Sequence, residues 1–427
     1  MKKPLLILTA LGLCSAMMLS GCSGKAGTTS TNITQVKTTF RFITANSDAG
    51  SNKIFAEAVA TLQKKYPNVT FTNDSSASGT YNDKIKLASV SGNPYNMIYT
   101  DDLGLAPLAE NNDLLDLTPY IKKYNWINKQ LPGTTNFYNQ RYPNHEYTVG
   151  MNSAPLVVFY NKTIFKKLGL QVPTTLAQFE NCMKVASANG YIGLEDAAQP
   201  QNLWLLESLV QNAVPLQDVI NWYYLKSASP AFATAYENAG TLIKSWSDAG
   251  YFRKNYQGVN YGETPQLFGQ GKSAMSFDGN WNLSTYQTTG VNFGMFPLPC
   301  NTTAGAPNYI INPVNAAWAI SSKANPTQVA IGVDLINLMM SNSYAAQWET
   351  TGALPTYKMT STAPTANQQT VDQLTAAIKK SKFGFYLDNA KPGILDLMTK
   401  ELQIVLAGQE TSKQMWNNVN AFWSQNY

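Results

Sequence analysis

The residues best equipped for recognition chemistry fall in one stretch, Leu267 to Trp281, which reads LFGQGKSAMSFDGNW. Gly269 and Gly271 punctuate a turn after Phe268, and the apolar run Ala274-Met275-Ser276-Phe277 reads as a buried strand. That strand gives way at Asp278-Gly279-Asn280-Trp281, a turn that sets a large aromatic and two polar side chains at a strand's exit. In open α/β sheets, ligands occupy the crevice beyond such strand ends. A flat indole beside amide and carboxylate groups suits a molecule with apolar C–H faces and a rim of hydroxyls, as in a sugar.

Other chemistries find less support. His145 is the only histidine and sits in a Pro/Asn-flanked loop, so a Ser-His-Asp triad would depend wholly on it. No HExxH or Walker pattern occurs, and Gly269 and Gly271 do not open a dinucleotide fingerprint. Carboxylate pairs keep a glycosidase or lyase acting on surface polysaccharide open as the enzyme alternative. Charged residues make up 13% of the 427-residue chain, about half the usual ~25%. The formal net charge of +5 is too mild for a nucleic-acid partner. Arginine occurs only at 41, 141 and 253, which disfavours acidic ligands. Cys182 and Cys300 remain once a leader is removed, and both are expected to be free, buried thiols. No cysteine cluster or His–Cys spacing suggests a metal, and no cofactor is expected.

The elements that must position the stretch follow an α/β rhythm. Thr38 to Ala45 alternates like a strand, Asn46 to Gly50 carries turn and N-cap chemistry, Ile54 to Tyr66 is a helix, and Val69 to Thr72 a second strand. This is a βαβ unit. A helix over Tyr81 to Val90 leads to a strand whose C-terminal end carries Thr100, Asp101 and Asp102. Pro230 to Trp246 is a long helix, Ala316 to Ser321 a strand, and Asn325–Met340, Ser343–Thr350, Leu395–Leu406 and Ser412–Trp423 are helices. Trp246, Trp348, Trp416 and Trp423 lie on helical stripes and belong to the core, as does Trp318 within its strand. Trp126 and Trp222 have no placement from pattern alone. The length favours two domains over one.

The pattern F-x-x-G-x-x-A-M-x-x-x-G-x-W over Phe268 to Trp281 resembles the signature of the bacterial extracellular solute-binding proteins of the maltose-binding-protein type. So do FAEAVATLQKKYPNVTF, SGNPYNMIYTDD, YTVGMNSAPLVVFYN, YNKTIFKKLGLQVPTTLAQF and Gly352 to Thr356, which together span nearly the whole chain. There are departures: Asn96 stands where the family usually has a structural Asp, Gly150 where it has a Pro in a cleft-lining turn, and Met151 where it has an aromatic. The resemblance implies a two-lobed α/β periplasmic-binding-protein fold of type II, with three interlobe crossings and a cleft between lobes. Residues 38–150 and 316–358 would form the N-terminal lobe, and 151–315 and 359–427 the C-terminal lobe, with the third crossing in Tyr357 to Asn367.

Ligand contacts are expected from Asn46, Asp48, Asp101 and Asp102 in the first lobe and from Gln199, Asn202, Trp204, Asp278 and Trp281 in the second. Crossing loops would add Asn152, Asn312 and Asn315. The ligand implied is a sugar or short oligosaccharide, delivered to the permease subunits of an ABC importer by a monomer. A peptide or polyamine is the non-sugar alternative. Residues 1–21 read as a signal peptide, with Met1-Lys2-Lys3 before a short apolar run. Leu19-Ser20-Gly21-Cys22 resembles a lipobox, which would make Cys22 a lipid anchor on the outer face of the cell membrane, and 22–37 reads as a flexible tether.

Overall fold

The computed structural model describes residues 33–46, 49–77, 81–100, 102–129, 145–153, 155–225, 227–301, 308–311, 314–350, 354–355, 372, 382–391 and 393–425. The strands, in chain order, are β1 (Thr38–Asn46), β2 (Val69–Asn73), β3 (Ser76–Ala77), β4 (Met97–Thr100), β5 (Val149–Ser153), β6 (Leu156–Asn161) and β7 (Ile192–Glu195). There follow β8 (Ser273–Gly279), β9 (Phe293–Phe296), β10 (Tyr309–Ile311), β11 (Val314–Ile320), β12 (Leu354–Pro355) and β13 (Lys382–Gly384). They build two main sheets, β12-β5-β11-β4-β1-β2 with β3 beside β1, and β7-β8-β6-β9, plus the pair β10-β13.

The first sheet alternates its burden between two faces, as the two-residue period of a strand demands. Phe40, Phe42, Tyr99 and Trp318 point to one core with Phe55 and Trp348 from the helices Ala49–Lys65 and Asn342–Thr350. Ile43, Ile98, Ala317 and Ala319 point to the other, under Ile85, Leu105 and Leu108. Phe55 meets Tyr99, Trp318 and Trp348 edge-on at 5.4, 5.8 and 5.4 Å between ring centroids. Helices therefore cover both faces, as they must for a sheet whose β1, β2, β3 and β4 run parallel. The second sheet divides likewise. Val157 and Phe159 pack on Phe268, Leu283 and Tyr286, while Leu156, Val158, Met275 and Phe277 face a larger core with the helices Gln201–Ala213 and Pro230–Asp248.

Most expected elements are present within a few residues. The first helix begins at Ala49, earlier than the apolar pattern indicates. The four helical tryptophans and Trp318 are buried, and so are Trp126 and Trp222. Asn96 does the structural work expected of that position, its Oδ1 accepting from Arg41 N at 2.8 Å. Gly150, expected in a turn, instead lies inside β5 opposite Ala317, and Met151 is fully buried in the first-lobe core. The leader, Cys22 and the proposed third crossing at 357–367 lie outside the described residues. Cys182 and Cys300 are both free, the first buried and the second half-buried. Burial pushes the Cys182 thiol up to about 11.

Candidate functional site

Strand register shows which residues share an edge. β5 and β11 are antiparallel, with Ser153 opposite Val314, so the end of one and the start of the other lie together. β12 joins them there, Leu354 opposite Ser153. Ala317 of β11 faces Thr100, the last residue of β4, and β1 runs parallel to β4 with Thr44 beside Tyr99. The C-terminal ends of β1 and β4 therefore point to the edge where the chain leaves the first sheet. Asn46 ends β1, Asp102 starts the helix Asp102–Glu110 after β4, Asn152 lies at the exit of β5 and Asn315 at the start of β11. Asp48, Asp101 and Asn312, nominated beside them, lie outside the described residues.

Short passages connect this edge to the rest of the chain. Two residues separate Ser153 from Leu156 of the second sheet, and two separate Ile311, the end of β10 in the β10-β13 pair, from Val314. Each passage can span at most ~11 Å when extended. Leu156 pairs with Gly279, which puts the exit of β8 at the crossing, and Asn280 N donates to Pro155 O at 3.1 Å. β7 runs parallel to β8, so the helix start at Gln201 follows from the same end.

At this exit the chain builds an aromatic cluster rather than an open row of polar groups. All seven residues of β8 are buried, Asp278 included. Asp278 Oδ1 accepts from Tyr261 Oη at 2.8 Å and from Gly279 N at 2.7 Å. Its Oδ2 accepts from Tyr286 Oη at 2.9 Å and Asn282 Nδ2 at 3.0 Å. Burial outweighs these donors and pushes the carboxyl up to about 6. Trp281 is half-exposed, and its Nε1 donates to Tyr261 Oη at 2.6 Å. Its six-membered ring lies over the Gly279 backbone: a Cβ on Gly279 would fall 2.1–2.3 Å from three ring carbons. Trp204 stands edge-on to Tyr261 at 5.4 Å, to Trp281 at 5.5 Å and to Tyr386 at 6.1 Å.

The nominated second-lobe residues thus divide by depth. Trp281 presents surface, and Gln199 is exposed in the turn before the helix Gln201–Ala213. Asn202 is fully buried and donates its Nδ2 to Asp196 Oδ2, while Trp204 packs in the core behind Trp281. Neither Asn202 nor Asp278 offers a surface of its own; burial of a polar side chain requires such internal partners. Asp196, fully buried, is held protonated more readily than usual by desolvation. Sequence reasoning passed over Tyr261, Asn282, Tyr286 and Tyr386. Only the Asn-Tyr-Gly triplet at 260–262, seven residues before Phe268, hints that Tyr261 has a special place.

His145, the one histidine, is exposed and lies 3.1 Å from Asp116 Oδ2, among residues of the first lobe. No group of three or more metal-ligating side chains occurs among the described residues. No helix among them is long and apolar enough to cross a membrane.

Two α/β bodies joined by short passages, with an aromatic platform at a strand exit beside one passage, define a two-lobed binding-protein fold. The family model for bacterial extracellular solute-binding proteins matches residues 45–346, and the chain belongs to that family. Solved structures agree in fold. A chitin oligosaccharide binding protein superposes with a TM-score of 0.79 at 17% identity, over 91% of this chain and 98% of that one. The maltose/maltodextrin-binding domain MalE from Bdellovibrio bacteriovorus, bound to maltotriose, gives 0.69 at 17% identity, over 91% and 99%. An ABC substrate-binding protein, Lmo0181 from Listeria monocytogenes, in complex with cycloalternan, gives 0.70 at 17% identity, over 91% and 99%. A search of curated proteins finds no match.

Proposed function

We propose that this solute-binding protein captures a sugar or short oligosaccharide between its lobes and delivers it, unaltered, to an ABC importer. The observation that carries the reading is Trp281: a half-exposed indole seated on Gly279, at a strand exit that adjoins a chain crossing. Such a ring offers its face to sugar C–H groups. The first sheet's edge carries Asn46, Asp102, Asn152 and Asn315 by position, residue types that hold hydroxyls. Asp48, Asp101 and Asn312 join that set by their places in the sequence, and Gln199 adds an amide from the second lobe. Asn202, Trp204 and Asp278 serve from behind, holding the ring and its surroundings. The sugars bound by structural relatives support the choice of ligand class.

Residues 38–153 with 314–358, and 156–311 with 359–427, act as the two lobes: β5 to Ser153 and β11 from Val314 belong to the first sheet, which shifts the boundaries expected at 150/151 and 315/316. Ligand bridging both favours the closed arrangement, because the full set of contacts exists only there. Two short passages, with a third expected in 357–367, restrict the motion to opening and closing. Cys22, lipid-modified after removal of residues 1–21, tethers the protein to the outer face of the cell membrane through 22–37.

A thermal-shift panel of mono-, di- and trisaccharides, peptides and polyamines tests the ligand class. A ligand that binds only the folded state raises the melting temperature by mass action. The expected result is a rise with one or a few saccharides and none with peptides or polyamines. A rise with a peptide or polyamine alone would overturn the sugar reading.

A further inference from the structure

The Tyr261 hydroxyl is the junction of the aromatic cluster. An indole N–H can only donate, so the Trp281 Nε1 contact at 2.6 Å uses one lone pair of the Tyr261 oxygen. Asn282 Nδ2, at 2.9 Å, uses the other. The single phenolic proton is then committed to Asp278 Oδ1 at 2.8 Å. The direction of the chain is fixed: Trp281 donates to Tyr261, and Tyr261 to the Asp278 carboxylate. That carboxylate is itself immobile, because Gly279 N, Tyr286 Oη and Asn282 Nδ2 also donate to it.

Three constraints therefore act on the indole. Gly279 forms the floor beneath it, with no room for a Cβ. Trp204 stands at its edge, nearly perpendicular at 84°. The floor and the edge contact limit where the ring lies, while the directional N–H bond to Tyr261 sets which way the indole nitrogen points. Tyr261 is held in turn against Trp204 at 87°, so its own ring is packed while its hydroxyl works.

We propose that Tyr261 is a positioning residue for the Trp281 platform: its hydroxyl, anchored on Asp278, sets the orientation of the indole that receives the ligand. This rests on the reading of Trp281 as the ligand-facing ring, and it assigns the fixing of that ring to a side chain behind it. A charge-assisted acceptor at the end of the chain strengthens each bond before it.

The experiment uses the full protein with indole 15N labelling. The Trp281 Nε1–H signal is assigned by its loss in Trp281→Phe. In the wild type this signal exchanges slowly with solvent although the residue is half-exposed; free exchange at the solvent rate overturns the proposal without any further variant. In Tyr261→Phe the signal moves and its exchange quickens, whereas in Tyr286→Phe, which takes a different donor from Asp278, it stays in place. An unmoved signal in Tyr261→Phe, or an equal movement in Tyr286→Phe, overturns it. With a sugar identified by the panel, Tyr261→Phe weakens binding by roughly threefold to tenfold, the range of one net hydrogen bond. In the Trp281→Phe background the same change costs less than about twofold, because coupled sites are not additive. An equal loss in both backgrounds would show that Tyr261 acts independently of the indole. If no sugar binds, the functional reading fails, and the ligand-free signal still decides the positioning role.

Discussion

Gly279→Ala puts the seat of the Trp281 ring to a direct test. The backbone at Gly279 has φ −82° and ψ 151°, an extended conformation that alanine adopts without strain. The obstacle is space alone. The new methyl would sit 2.1, 2.2 and 2.3 Å from Cη2, Cζ3 and Cζ2 of Trp281, where carbon atoms require about 3.5–4.0 Å. The ring must therefore retreat by roughly 1.5 Å. Its Nε1 now lies 2.6 Å from Tyr261 Oη. A retreat of that size carries the pair toward ~4 Å, beyond hydrogen-bond range. The variant loses one net hydrogen bond, about 1 kcal/mol, and displaces a stacking surface worth ~1–3 kcal/mol in comparable aromatic platforms. Calorimetric titration with the sugar found by the panel should show affinity reduced by roughly tenfold to several hundredfold. Wild-type affinity in a variant that folds normally would refute the reasoning, because the ring could not then be both seated on Gly279 and part of the site.

Asp278 gives the protein a particular pH dependence. Its carboxyl stands at about 6 in the folded chain against 3.8 as the ordinary value, so the native state holds the extra proton between those limits. Stability from this group is greatest at low pH and falls as pH rises from about 4 to about 6, by ~3 kcal/mol. Denaturant titrations of wild type and Asp278→Asn across that window should diverge accordingly, and parallel profiles would contradict it. Arg253 holds the buried Glu195 through two contacts of 2.6 Å, Nε to Oε1 and Nη2 to Oε2. Arg253→Ala leaves the buried carboxylate without its cation, with Ser273 Oγ still donating to it, and should cost ~3–5 kcal/mol in denaturant unfolding; a loss under 1 kcal/mol would refute the assignment. Trp348→Ala removes a buried ring packed on Phe55 and should cost about 3–5 kcal/mol, with sugar affinity in the still-folded fraction unchanged.

The sequence carried the fold because its signals are local. The alternation in β1, the glycine pair before β8 and the helical stripes with Trp246, Trp348, Trp416 and Trp423 each state their element without help from distant residues. Trp126 could not be placed from pattern. Its partner, Asn337 Oδ1 at 2.8 Å, belongs to a helix far along the chain. Gly150 was expected in a cleft-lining turn because it stands where the family has a Pro, but pairing with β11 makes it a strand residue. The site was legible as an address rather than as a geometry. The signature located the exit of β8 and Trp281, yet Asp278 and Asn202 have internal partners that only tertiary structure reveals, Tyr261 and Asp196 among them. A carboxylate at a strand end reads the same whether it faces solvent or supports an aromatic ring.

The titration of Trp281→Ala with the sugar selected by the panel, set beside the wild type, tests the central claim most directly. Binding should weaken by more than tenfold, as expected for loss of a platform worth ~1–3 kcal/mol, and the sugar should be recovered chemically intact from both proteins. Equal affinity in the two proteins would contradict capture on that indole. Recovery of a cleaved sugar would contradict the role of a carrier.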